Sequence, residues 1–180
     1  AAVIGVPLGL LLGDYHTFDK LVNPIFEIIR PIPPMAWIPL SVIWLGIGTT
    51  AKCFIIFLAA FVPCVINSYT GVKLTNSVLI DVAKTCGSSR WKIFITVCTP
   101  SAMPLAFTGI RVALGNAWSN LVAAEMLSAT AGLGYMIQQG RALGRSDIII
   151  VGMLTIGVIG AVLTAVLNKL ENRVIRWRAK

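Results

Sequence analysis

Histidine, acidic residues and paired cysteines are what this sequence has least of. His16 is the only histidine, which excludes a helical haem protein with paired histidine ligands. Four cysteines, Cys53, Cys64, Cys86 and Cys98, form no CxxC pair and match no metal-ligand spacing. They lie in or beside apolar runs and read as small buried hydrophobes rather than a disulfide framework. No G-x-x-x-x-G-K-[ST] occurs, so the chain carries no P-loop, and nucleotide energy, if used, comes from another polypeptide. The glycines of "GIG" and "GLGYMI" lack the strand–helix setting of a dinucleotide site. No catalytic residues, metal site or cofactor are assigned to this chain. An intramembrane enzyme needs a constellation in the bilayer, but the lone histidine lies in a polar loop and no apolar run holds paired aspartates.

Charge is scarce too: 12% of residues, where a soluble domain carries about 25%. What fills the space is apolar, at 57% of 180 residues with a mean hydropathy of +0.85. Several runs approach or reach the roughly 20 residues that a helix needs to cross a bilayer. The approximate spans are 1–13, 36–49, 52–71, 102–127 and 148–168, giving a single all-α integral membrane domain over 1–180. The first run, "AAVIGVPLGLLLG", lacks the charged leader and A-x-A site of a signal peptide. It is expected to be the tail of a transmembrane helix whose beginning is missing. A short interfacial helix is expected around Val22 to Ile29, stopped by Pro31, Pro33 and Pro34. The run beginning at Met35 contains Pro39 and is short, so it must be tilted, broken or packed inside the bundle. The last run is rich in glycines that let membrane helices approach closely.

Lysine and arginine fix an orientation. With the tail 169–180 inside and the segments alternating, Lys20, Arg30, Lys73, Lys84, Arg90, Lys92, Lys169, Arg173, Arg176, Arg178 and Lys180 lie inside. Lys52, Arg141 and Arg145 lie outside. Eleven against three puts the segment 73–99 and the C-terminus in the cytoplasm. The net charge of +8 is then a topological signal, aided by anionic lipid, and needs no nucleic acid.

Within 73–99, "DVAKTCGSSRWKIFITVCTP" is amphipathic and broken by Gly87. Leu79, Val82, Ala83 and Cys86 fall on one helical stripe, and Trp91, Phe94, Ile95 and Cys98 on another. Lys84, Thr85, Arg90 and Lys92 face the other way, and the serines after Gly87 can cap the second helix. Periodicity alone leaves two readings open: a helical hairpin docked on the bundle, or an ordinary loop on the membrane surface.

Counted from Asp81 as one, the segment places Val82 and Ala83 next, Gly87 at seven, Val97 at seventeen and Pro100 at twenty. It resembles the EAA loop of ATP-binding-cassette importer permeases, with Asp for Glu, Val for the first Ala, and Val97 and Thr99 in place of Ile and Leu. "RPIPPMAWIPLSVIWLGIG", "GIRVALGNAW", "AAEMLSATAGLGYMI" and "RVIRWR" also look like the nitrate, sulfonate and taurine import group, so the resemblance covers essentially the whole chain. It implies a type I importer bundle in the bacterial cytoplasmic membrane. It further implies a coupling loop, with Asp81, Val82, Ala83, Gly87, Arg90, Trp91 and Pro100 as the residues presented to a cytoplasmic ATPase. The partners it implies are ATPase subunits that bind the ATP, a second permease subunit, taken as an identical copy, and an extracellular or periplasmic solute-binding protein docking near "GLGYMIQQGR". A small anion such as a sulfonate, taurine or nitrate is the substrate it implies, with other small organics open.

Arg111, Asn116, Trp118, Asn120 and Glu125 interrupt the fourth apolar run. Charges at membrane depth cost about 2.5–3.5 kcal/mol on insertion scales, so they face a bundle interior or a watery path. One reading lines a translocation path with them. The other lets Arg111 snorkel inward, sets Glu125 near the outer mouth against Arg141 or Arg145, and leaves the asparagines to bond neighbouring helices. The rival for the whole chain is an ion-coupled secondary transporter or channel subunit with Glu125 as the coupling carboxylate.

Overall fold

The computed structural model describes residues 1–14, 24, 26, 28, 31–128 and 130–174. Among the described residues every regular element is helical. The elements are α1 (Ala2–Asp14), a 3-10 turn (Pro34–Trp37), α2 (Ile38–Leu45), α3 (Thr49–Lys73), α4 (Ser77–Thr85) and α5 (Arg90–Ile93). A π-helical segment (Phe94–Cys98), α6 (Thr99–Ser128), α7 (Leu133–Ala142) and α8 (Ser146–Val174) follow. The all-helical expectation holds. Of the interfacial helix expected around Val22 to Ile29, only Pro24, Phe26 and Ile28 are described, all helical. Phe26 packs on Phe61 with ring centroids 6.1 Å apart. His16, Lys20, Arg30 and the tail beyond Val174 lie outside the described residues.

Among the described residues three helical runs are long and apolar enough to cross a bilayer: Thr49–Lys73, Arg90–Leu127 and Ser146–Val174. Expected spans 52–71, 102–127 and 148–168 each fall inside one of them. The expected span 36–49 differs. Pro39 does not interrupt its helix but opens it, in the first turn of α2, where the missing N–H is one of the orphan donors. Gly46, at φ +76°, ends α2 after eight residues, a length of about 12 Å, well short of a bilayer core.

Contacts divide the chain into two compact units. The first holds Ala1–Pro31, Phe61–Ala113 and Glu171–Lys180. Here α1, apolar on every side, places Gly5, Gly9 and Gly13 on one stripe against α3. A methyl at Gly9 would collide with the Val65 carbonyl oxygen, and one at Gly13 would sit 2.6 Å from Val72 Cβ. Gly71 meets Ala102, and Gly109 meets Asn67 and the Pro63 carbonyl, so α3 and α6 also touch through small residues. Without lipid-excluding hydrophobic force between helices, such close backbone approach is what holds membrane helices together. At one end of this unit Leu10, Val72, Ile93, Phe94, Cys98 and Ala102 form an apolar cluster.

The second unit holds Ile32–Ala60 and Leu114–Leu170. Ile38, Ile55 and Ala124 form its buried cluster, with Val42 against it. Between α7 and α8, Gly140 lies on Ile148 and Gly152 on Ile137. The turn joining them closes with Gly144 at φ +67° and bonds from Arg145 N to the Gly140 carbonyl (2.8 Å) and Gly144 N to that of Arg141 (3.2 Å), the pattern of a Schellman cap. Arg145 donates to both oxygens of Asp147 (2.7 and 3.4 Å). Along its apolar window α8 is only 6% buried and exposes Ile150, Met153, Leu154, Val158 and Val162, a surface suited to lipid.

Candidate functional site

The segment after Lys73 folds as a helical hairpin, so the surface-loop alternative is replaced by two defined helices. Asn76 caps α4, its Oδ1 accepting from Val78 N at 2.9 Å. The far end of α4 closes on Gly87, at φ +74°, with Ser88 N bonded to the Ala83 carbonyl (3.1 Å) and Gly87 N to that of Lys84 (2.9 Å). That pair of bonds is again a Schellman cap, which needs a left-handed residue at its centre. Ser89 then caps α5, accepting from Lys92 N at 3.4 Å. The glycine stop and serine start expected from sequence are both present.

The faces differ from the expected stripes. Ile80 and Ala83 of α4, and Ile93, Phe94, Val97 and Cys98 beyond it, pack on the apolar cluster. Leu79 (53% exposed), Val82 (55%), Trp91 (56%), Ile95 and Cys86 point outward instead. Ala83 therefore packs against its own bundle. The reason is that apolar residues occur almost all round α4, at Val78, Leu79, Ile80, Val82 and Ala83, so periodicity could not choose the docked side. The hairpin thus presents a mixed outward surface: Val82 and Trp91 beside Asp81, Lys84, Arg90 and Lys92, all exposed. Asp81 pairs with Lys84 at 3.0 Å. Pro100 is half-buried at the start of α6, directly after the π segment, where Thr99 N reaches back to the Phe94 carbonyl.

The polar residues of α6 separate into distinct roles. Arg111 forms an ion pair with Glu171 of α8, whose side chain is only 5% exposed. Glu171 escaped the sequence reading; as the single acid in a basic tail it carried the one available signal. Trp118 packs on Gly160 and donates to the Ile156 carbonyl at 3.3 Å. Asn120 donates to the Asn116 carbonyl of its own helix at 2.8 Å, and its Oδ1 is buried with no hydrogen bond among the described residues. Asn116 itself is exposed, alongside Val112, Gly115 and Ser119. Glu125 does not meet Arg141 or Arg145. Its carboxylate accepts from Gly134 N at 3.0 Å and lies against Gly132, at the start of α7, where a helix N-terminus favours negative charge; Arg145 goes to Asp147. No group of three or more His, Cys, Asp or Glu side chains that could hold a metal occurs among the described residues.

A family model for the binding-protein-dependent transport system inner membrane component matches residues 5–178. A protein of Methanocaldococcus jannaschii designated an ABC transporter permease is 45% identical over 179 residues, 99% of this chain and 67% of the relative. The taurine transport system permease protein of Escherichia coli is 39% identical over 100% of this chain and 66% of its own length. The nitrate import permease protein of Leptolyngbya laminosa is 33% identical over 97% of this chain and 63% of its own. The chain therefore spans about two thirds of the length of the relatives it matches.

Proposed function

Because the chain belongs to the family of binding-protein-dependent transport system inner membrane components, we propose that it is the membrane-spanning subunit of an ATP-driven importer. Its fold is the all-helical permease fold of that family, and its relatives are transport proteins rather than enzymes. The whole protein pairs with a second copy, two cytoplasmic ATPase subunits that bind the ATP, and a solute-binding protein outside. ATP closes the ATPase dimer, and the bundle alternates between inward-facing and outward-facing states. The residues that carry the coupling are Asp81, Val82, Ala83, Gly87, Arg90, Trp91 and Pro100.

One observation supports this reading above the others. The hairpin is a capped, rigid element docked on the bundle by Ile80, Ala83, Ile93 and Phe94, yet it holds Val82 and Trp91 outward among charges. Such a mixed face suits a protein groove, and a bilayer surface would not require the Schellman closure at Gly87. An ion-coupled carrier would need an available carboxylate in the path, whereas Glu125 is engaged by the Gly134 amide.

The solute is a small anion. Relatives are named for taurine, nitrate and, in Synechocystis, bicarbonate. Asn116, Gly115 and Ser119 form an exposed face of α6 at membrane depth. That face would be costly against lipid, and it is the part of α6 we assign to the path. Trp118 of the same unit is held by the Ile156 carbonyl. The test is reconstitution. The complex purified through this subunit should contain an ATPase, and uptake should survive a protonophore while ATP is supplied but stop with a non-hydrolysable analogue. Uptake that collapses with the ion gradient while ATP is intact would transfer the assignment to a secondary transporter.

A further inference from the structure

The last described residue of helix α1 is Asp14, an acid whose side chain is only 18% exposed. Such burial disfavours a carboxylate that stands alone. The relief comes from far along the chain. Arg90, the first residue of α5, donates from Nη2 to the Asp14 carbonyl oxygen at 3.1 Å and holds Nε 3.7 Å from carboxylate Oδ2. One guanidinium therefore bonds the Asp14 carbonyl and lies at ion-pair distance from the acid, whose buried Oδ2 accepts no hydrogen bond among the described residues. A cleft of about 400 Å3 surrounds the pair, lined by Ile80 and Lys84 of α4, Ser88 of the bend, and Ile93 beside Cys98. Beneath it, Leu10 and Val6 of α1 pack with Ile80, Ala83, Ile93 and Phe94. Both arms of the hairpin thus close on the end of α1.

We infer that the Arg90–Asp14 pair is a clamp that makes the end of α1 and the hairpin one rigid body, so that hairpin motion is delivered to α1 as well as α6. The inference rests on the hairpin being the ATPase-coupling loop. Its physical motive lies in the other attachment. Through the π segment 94–98, α5 runs into α6, and such segments are places where a helix kinks. A lever fixed only there would pivot. Tied also at Asp14, it transmits displacement to two helices. An ion pair this exposed on the Arg90 side (68%) adds little to folding stability, so its contribution is positional and Arg90 is a positioning residue.

The experiment uses the complete transporter in proteoliposomes, with ATP hydrolysis and solute uptake measured on the same sample. Asp14→Arg should leave assembly and hydrolysis near wild type but lower uptake per ATP several-fold, and Arg90→Asp should lower uptake per ATP at least as far. The exchange Asp14→Arg/Arg90→Asp should restore most of what Asp14→Arg loses, because the swap re-forms the pair with its charges exchanged and puts an acid at the N-terminus of α5, where the dipole favours it. In a chain with exposed Cys53 and Cys86 changed to Ser, Asp14→Cys/Arg90→Cys joined by a short bis-maleimide should keep transporting. Cross-linked protein that hydrolyses ATP without uptake means the two ends separate during the cycle, and overturns the clamp. Single variants with unchanged uptake per ATP, or ones lost from the membrane, also overturn the positioning role. Wild-type complex with no ATPase or no ATP-dependent uptake instead removes the coupling-loop reading, and is recognised before any variant is compared.

Discussion

At the residue scale, Gly87 is where sequence spacing and backbone geometry meet. Its φ of +74° lies in the left-handed region, and an added Cβ would find no atom within 4 Å. The constraint is therefore conformational rather than steric. A left-handed position costs an ordinary L-residue about 1–2 kcal/mol, while asparagine tolerates it better. Gly87→Leu should leave the subunit inserted and folded, since the hairpin is outside the apolar spans, yet reduce transport per ATP hydrolysed. Gly87→Asn should stay close to wild type in the same assay. If Leu and Asn behave alike, the bend at Gly87 has no part in coupling. Arg111 shows a different lesson at this scale. Its charge in an apolar helix was plain in the sequence, but its partner Glu171 lies 60 residues away, and no spacing rule connects residues on separate helices.

At the element scale, α1 shows how small residues stand in for hydrophobic force. Gly5, Gly9 and Gly13 recur every fourth residue, and each lets α3 approach to backbone contact. Overpacking such a contact costs about 1–3 kcal/mol. Gly9→Val should lower the thermal midpoint of the detergent-solubilised complex by several degrees, read by loss of its monodisperse chromatographic peak. Gly157→Val on α8, where nothing lies within 4 Å of the added carbon, should leave that midpoint unchanged. Equal effects at both positions would mean that α1 is not held through its glycine stripe. The same scale explains α2. A proline inside an apolar run looked like an interruption, but at the first turn of a helix it is a start signal.

At the scale of the whole molecule, the lysine and arginine bias of eleven against three predicts an orientation with the hairpin and the tail in the cytoplasm. In the intact importer an impermeant thiol reagent should reach Ser88→Cys from the cytoplasmic side only and Ser146→Cys from the outside only. Both positions sit at the ends of apolar helical runs, Ser88 just before Arg90–Leu127 and Ser146 opening Ser146–Val174, so each should remain on its own side. Labelling of Ser88→Cys from outside would reverse the orientation and remove the hairpin from reach of any cytoplasmic ATPase. The exposed face of α8 belongs to this scale too. Its run of Ile150, Met153, Leu154, Val158 and Val162 has no need of a protein partner when lipid supplies the solvent.

The sequence by itself determined the class of molecule, the three long helical runs and the hairpin. Apolar composition, run length, the lysine and arginine bias, and the Gly87-to-Pro100 spacing are local or compositional quantities, written in consecutive residues. Capping was legible for the same reason: Gly87 and Ser89 act on amides within a few positions of themselves. Only the tertiary structure decided which side of the hairpin is docked, because α4 carries apolar residues on nearly every face and the neighbours of Ile80 and Ala83 come from other helices. It also decided the partners of the buried charges, Arg111 with Glu171, Arg90 with Asp14, and Glu125 with the Gly134 amide. A charge in an apolar run announces that it needs a partner. Which partner it finds depends on where two helices lie side by side, and that is fixed by the packing of glycines and small side chains along the whole length of both.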